Sequence, residues 1–339
     1  MKNRFLNFAV LLIAVIGLVQ LEAAAQTRTR NTATPAASSL MASLPASDAV
    51  VQVKAKQLFT EAMPRILANN PAKLAQANAA VENFKTRTGL DPRMFDQIAV
   101  GVKFTFPGEG IAKAQTVALA KGSFSSTALI TAGSLAAQGK YRQEKYKDKT
   151  IYIFTLDENI SLLGVIDFRI NELAVMPLDA NTLALGDPHS VRSVIDVTNG
   201  AKRANVEIIA LASRDPNAVI GFGANMSPQL IASVDAVANM PVAADLQKLR
   251  QVYGSVSTTE KDLELFLAAR AVNNETASNL GSTLKGLADL APVFVGQMSG
   301  AKGVLAKSAL SNLKIVTDAN ELQIRTAVPQ ADVGPLMGN

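Results

Sequence analysis

The pattern that most restricts this chain is a series of paired β-forming runs joined by short turn signals. Residues 95–106 and 115–124 flank Pro107-Gly108-Glu109-Gly110, and residues 141–146 and 150–156 flank Lys147-Asp148. Residues 173–178 and 182–185 flank Asp179-Ala180-Asn181, residues 249–257 are followed by 262–271, and residues 313–317 and 322–328 flank Asp318-Ala319-Asn320. Gly, Pro, Asn and Asp supply the tight backbone conformations that such connections need. Runs joined this closely pair antiparallel, because a parallel crossover needs a dozen or more residues. The chain therefore commits to antiparallel sheet.

Helical stretches fall between the hairpins. Ala49-Val50-Val51-Gln52-Val53 reads as a short strand, followed by helical stretches over 56–70 and 72–88, the second stopped by Gly89. Pro64 should kink the first or delay its start. Ser125 or Ser126 caps a helix ending at Gly139, Asp187-Pro188 opens another with a cap and an N1 proline, and a short helix covers 206–212. A second strand-first unit follows: a strand at 218–222, a helix at 228–238, the hairpin 249–271, a helical region from 275 to about 305 interrupted near Pro292, and the last hairpin. The repeated order predicts an α+β fold of two tandem ferredoxin-like (β-α-β-β-α-β) units, with antiparallel sheets and helices packed on one face. Asp179-Ala180-Asn181-Thr182-Leu183 and Asp318-Ala319-Asn320-Glu321-Leu322 echo one another at corresponding turns.

The first 25 residues read as a signal peptide. Lys2 and Arg4 form the positive region, residues 5–21 the apolar one, and Ala23-Ala24-Ala25 the cleavage site. Export to the periplasm or the exterior is the expectation, with no membrane span after cleavage. Residues 26–45 are rich in Thr, Ala, Ser and Pro and read as a flexible linker. The first α+β unit is placed at 46–204, the second at 205–330 and a tail at 331–339. The chain contains no cysteine, which excludes disulfides, thiolate metal ligands and a lipid anchor at the cleavage site, so stability outside the cytoplasm must come from a packed core. The formal charge of +5 is scattered, without a basic and aromatic stripe, which excludes a nucleic-acid surface. Trp is absent and aromatics are few, which argues against a carbohydrate-stacking surface.

Leu183-Ala184-Leu185-Gly186, then Asp187-Pro188 with Val191, Ile195 and Asp196 at helical spacing, resembles a module of uncharacterised secreted bacterial proteins of domain-of-unknown-function type. Residues 44–51 (Leu-Pro-Ala-Ser-Asp-Ala-Val-Val) and the turn Thr88-Gly89-Leu90-Asp91-Pro92 are similar to that group as well. The resemblance spans about Leu44 to Val197. It implies fold and secretion, and it carries no catalytic residues.

Catalytic patterns are sparse. The single histidine, His189, sits where a helix begins, an ordinary surface position. No serine lies in a Gly-x-Ser-x-Gly elbow. Ser282 and Lys285 have the Ser-x-x-Lys spacing that brings an amine one helical turn from a hydroxyl, and the same spacing recurs at Ser299/Lys302 and Ser311/Lys314. No Lys-Thr-Gly follows. Gly221-Phe222-Gly223 echoes a dinucleotide-binding turn, but Met226 stands at the third glycine position, so the two glycines read instead as a place where a helix packs close to a strand. Asp179/Asn181 and Asp318/Asn320 lack the rest of a calcium loop.

No cofactor or metal site is expected. Leu162, Leu163, Val165 and Phe168, in an apolar stretch between two hairpins, are the candidate partner surface, against the plainer reading of a core element. Leu280, Leu284, Leu287 and Leu290 mark one face of a helix packed on a sheet. The sequence thus points to a non-catalytic binding or structural protein of the envelope or exterior, with an envelope protein as the expected partner. The alternative is a serine-lysine hydrolase using Ser282 and Lys285.

Overall fold

The computed structural model describes residues 40–88, 91–108, 111–162, 166–233 and 243–333. Twelve strands form one antiparallel sheet: β1 (Ala49–Val53), β2 (Phe95–Gly108), β3 (Ile111–Gly122), β4 (Tyr141–Tyr146), β5 (Lys149–Leu162), β6 (Ile166–Asp179), β7 (Thr182–Gly186), β8 (Ile220–Asn225), β9 (Leu249–Thr258), β10 (Asp262–Ala271), β11 (Lys314–Asp318) and β12 (Glu321–Pro329). Their order across the sheet is β11-β12-β10-β9-β8-β1-β2-β3-β7-β6-β5-β4. The helices are α1 (55–66), α2 (Pro71–Thr88), α3 (Ser126–Ala136), α4 (Pro188–Thr198), α5 (Val206–Ala212), α6 (Pro228–Ala232), α7 (Ala243–Leu246), α8 (Asn274–Gly296), α9 (Gly300–Ser311) and α10 (Gln330–Val333).

Two tandem ferredoxin-like units are therefore not what the chain forms. The first strand of each proposed unit pairs with the other, β1 on β8, from Ala49 opposite Ala224 to Val53 opposite Ile220, and this seam fuses the halves into one sheet. The other neighbour of β1 is β2, again antiparallel, whereas a ferredoxin-like unit sets its first strand parallel to its second with the third strand between them. Two consecutive helices separate β1 from β2, so the connection returns to the end of the sheet it left, and antiparallel pairing follows. One helix would have crossed to the opposite end.

Helices also cover both faces, not one. Opposed residues of neighbouring strands share a face, so one row can be followed across all twelve: Val316, Gln323, Ala268, Tyr253, Gly223, Val50, Gly101, Val117, Gly186, Ala174, Ile153 and Arg142. On this face, called A, Val191, Val194 and Ile195 of α4 and Ile208, Ile209 and Ala212 of α5 pack on Val50, Leu119, Ile153 and Met176. On face B, α1 to α3 cover the N-terminal arm through Ala55, Phe59, Phe84, Leu129 and Ile130. In the C-terminal arm, Ala277, Leu280 and Leu284 of α8 cover Val252, Leu267, Leu322 and Ile324 on the same face B.

Local chemistry explains the element ends. Ser125, Asp187, Asn205, Ser227 and Asn273 each accept a backbone N–H of the helix they precede. Ahead of Pro64, helix α1 widens into a π turn over Leu58–Ala62 in which the Met63 N–H reaches the Leu58 carbonyl. Pro292 does not interrupt its helix as the sequence suggests. Instead α8 runs on to Gly296, and the break precedes Gly300, whose φ of 69° lies in the left-handed region. The last part of the stretch read as a linker is folded, because a 3₁₀ turn at Leu40–Ser43 buries Met41, and Leu44 follows it into the core.

One ion-pair cluster makes the N-terminal arm acid-sensitive. Asp91 caps the 3₁₀ turn at Pro92–Met94, accepts from Arg93 Nε at 2.9 Å and lies 3.3 Å from Lys85 Nζ. Hydrogen bonding from Arg93 is the main cause that lowers its pKa from 3.8 to about 2. The depressed value means that the stabilisation is full above pH 3.8 and disappears as pH falls through about 2. Asp91→Asn, which keeps the cap, should lose about 2 kcal/mol at neutral pH. Urea unfolding should show the gap between variant and parent closing toward pH 2, and a gap independent of pH would refute the ionic origin.

Candidate functional site

Face A changes character along the sheet. In the N-terminal arm it lies under α4 and α5, but in the C-terminal arm α5 lies over β8 and β9, with its Leu211 packed in one cluster with Tyr253 of β9 and Ala268 of β10. Gly221 and Gly223 set that position. A Cβ on Gly221 would collide with the Ala212 carbonyl oxygen, and one on Gly223 would lie 2.5 Å from the Ile208 oxygen. The close-packing reading of Gly221-Phe222-Gly223 agrees with this geometry, and the helix is α5.

Beyond α5 no helix among the described residues covers the face A side of β10, β12 and β11. The rows there are Gln251, Arg270, Glu321, Asp318; then Tyr253, Ala268, Gln323, Val316; then Ser255, Phe266, Arg325, Lys314. Val316 is 52 % exposed. The fully buried Tyr253 forms the floor, edge to face with Phe266 at 5.7 Å between centroids. Arg214, just past the end of α5, and Arg270 lie over the Tyr253 ring at 5.0 and 5.5 Å, while Arg325 lies 4.0 Å from the Phe266 centroid.

Glu321 ties two of the arginines together. Its side chain is 11 % exposed and accepts from Arg214 Nη1 at 3.1 Å, Arg270 Nε at 3.0 Å and Gln323 Nε2 at 2.7 Å. Arg270 Nη1 also reaches Gln251 at 3.2 Å. Asp215 is occupied by the Ser257 and Ser255 hydroxyls at 2.6 and 3.2 Å. The buried Tyr253 hydroxyl has no hydrogen-bond partner among the described residues. Burial, and then the charge of Arg214, hold Arg325 below the usual arginine range. Next to the network an open groove of about 650 Å³ runs between Glu207, Arg250 and Arg270 on one side and the β11–β12 turn at Asp318–Asn320 on the other.

The residues singled out from sequence lie elsewhere. Ser282 and Lys285 are both exposed on α8, which packs on face B, and neither lines the groove. His189 is exposed in the first turn of α4. Leu163 and Val165 lie outside the described residues, and Leu162 and Phe168 fall in the paired backbone at the ends of β5 and β6. The α8 stripe divides: Leu280 and Leu284 are buried, while Leu287 and Leu290 are exposed, with Phe294 at 66 %. Asp179 caps its own turn through the Asn181 N–H at 2.9 Å, and Asn320 donates to the Ala271 carbonyl at 3.0 Å. No group of three or more metal-binding side chains occurs among the described residues, and none of the helices searched is long and apolar enough to cross a membrane.

The arginine network escapes a motif search because its members come from four separate elements. A signal was nevertheless present. In β12, Glu321, Gln323 and Arg325 alternate with Leu322, Ile324 and Thr326, which marks a strand with one solvated face.

No family model matches the chain, and no curated protein matches it either. Among solved structures it is similar to crystal form I of TP0453 at 9 % identity, covering 89 % of this chain and 99 % of that one with a TM-score of 0.46. Crystal form III of TP0453 is similar at 8 % identity, covering 88 % and 95 %, with a TM-score of 0.44. Similarity at this level leaves fold and function to be argued from the chain's own residues.

Proposed function

We propose that the protein is an exported, non-catalytic binding component of the cell envelope or its exterior, and that its contact surface is the open face A of the C-terminal arm. The observation that carries this reading is a roof of three arginines over an aromatic floor, two of them tied by Glu321 and Arg270 also 3.4 Å from Glu207, on the part of the sheet where no helix among the described residues covers one side. Ionic groups so placed add little to stability and much to recognition. Export rests on Lys2, Arg4, the apolar run and the alanine triplet. Descent of both arms from a duplicated unit is supported by their outward strand orders, β1-β2-β3-β7-β6 and β8-β9-β10-β12-β11, which place corresponding strands in the same sequence.

A serine-lysine hydrolase needs its nucleophile in a cleft with an oxyanion hole, whereas Ser282 and Lys285 stand on a convex helix surface. One mass-spectrometric experiment addresses both readings. The protein, incubated with envelope extract and then with a fluorophosphonate, should gain hydrogen-exchange protection over β9, β10 and β12 and no adduct at any serine. Protection confined to other elements, or a stoichiometric adduct on Ser282 abolished by Lys285→Ala, would overturn the proposal.

A further inference from the structure

We infer that Arg214, Arg270 and Arg325 form a site for a phosphate-type tetrahedral oxyanion on this open face, with Tyr253 and Phe266 as its floor and Glu321 holding two of the guanidiniums in place. The inference deepens the binding-protein reading and rests on it.

Three observations carry it. The first is unused donor capacity. Arg214 bonds only through Nη1, Arg270 through Nε and Nη1, and Arg325 only through a long 3.4 Å contact from Nη2 to Gln323. Among the described residues, the Nε and Nη2 of Arg214, the Nη2 of Arg270 and the Nε and Nη1 of Arg325 therefore remain available. The second is an unfavourable juxtaposition of like charge. Arg325 feels the charge of Arg214 and makes no ion pair of its own among the described residues. The nearby acids offset this only in part, since Asp215 is held by two serine hydroxyls, Glu321 is shared by Arg214 and Arg270, and Glu264 is exposed. The third is the fully buried Tyr253 hydroxyl without a partner, a cost of about 1–3 kcal/mol that phenylalanine would avoid.

Donors arriving from the end of α5, from β10 and from β12 suit an acceptor with three terminal oxygens better than a planar carboxylate, which offers two. Guanidinium forks bind phosphate oxygens in pairs, and contact with the rings of Tyr253 and Phe266 restrains them beforehand. A soluble phosphate ester and a lipid headgroup present the same chemistry.

Titration of the full chain separates these sources: calorimetry with inorganic phosphate and glycerol 3-phosphate, and co-sedimentation with phosphatidylcholine vesicles with and without phosphatidic acid. Binding in either medium is expected, weakened about tenfold or more by Arg325→Gln and unchanged by Arg65→Gln on α1. Arg325 is exposed, makes no ion pair among the described residues and would lose little beyond its contact with the Phe266 ring, so its variant should stay folded and melt only slightly below the parent. Absence of binding in both media, or equal binding by Arg325→Gln, would overturn the site. Equal affinity for succinate would overturn the phosphate assignment, and hydrogen-exchange protection of β9, β10 and β12 by extract would then still stand for the broader reading.

Discussion

Gly221→Ala should cost about 3 kcal/mol or more, one of the two largest losses expected from a single conservative change in this chain. The added methyl meets backbone, the Ala212 carbonyl oxygen at the end of α5, and backbone cannot rotate aside as a side chain can. Relief requires α5 to lift from β8. That helix buries Ile208, Ile209, Leu211 and Ala212, so lifting it uncovers the centre of the face A core along the seam that joins the two arms. Gly286→Ala provides the matched control. Nothing lies within 4 Å of its added methyl, and the residue sits inside α8, where alanine should stabilise by about 0.5–1 kcal/mol. Urea unfolding with unchanged m-values reads both effects. A Gly221→Ala protein within about 0.5 kcal/mol of the parent would show that α5 does not sit on β8 as closely as described.

That seam separates what the sequence discloses from what it conceals. Hairpins such as 249–271 and 314–329 are local, since alternation of apolar residues and a turn of fixed chemistry sit within one short window, and Asp187 and Ser125 announce their helices in the same way. The pairing of β1 with β8 joins residues about 170 positions apart, and no local pattern distinguishes it from two sheets each ending at its first strand. The order of strands and helices read from the sequence implied a unit that the chain does not form. Two helices between β1 and β2 already conflict with a ferredoxin-like crossover, and counting helical passes would have exposed the conflict. The open face was legible only as alternation in β12, because Arg214 comes from a loop and Arg270 from another hairpin. Ser282 and Lys285 drew attention through spacing alone, which reports a shared helix face and says nothing of a cleft.

Glu321→Ala is the second large effect, and it tests whether the arginine roof is a connected unit. Removing the carboxylate leaves Arg214, Arg270 and Gln323 without their common acceptor. Loss of one partner from a fully buried ion pair costs about 3–5 kcal/mol, because the remaining charge stays desolvated. Here the carboxylate is 11 % exposed but both guanidiniums are 32 % exposed, so water recovers part of the loss and about 2–3 kcal/mol is the expected figure. Pairing the substitution with Arg270→Met should restore most of it, since Met can lie over the Tyr253 ring where the guanidinium does and a cation that has lost its closest carboxylate is removed. A double-mutant cycle on these two positions should give a coupling of about 1–2 kcal/mol. Additive losses would mean that Glu321 and Arg270 merely neighbour one another. In that case Glu321 would not position Arg270, and the three guanidiniums would lack the preorganisation on which an oxyanion site on this face depends.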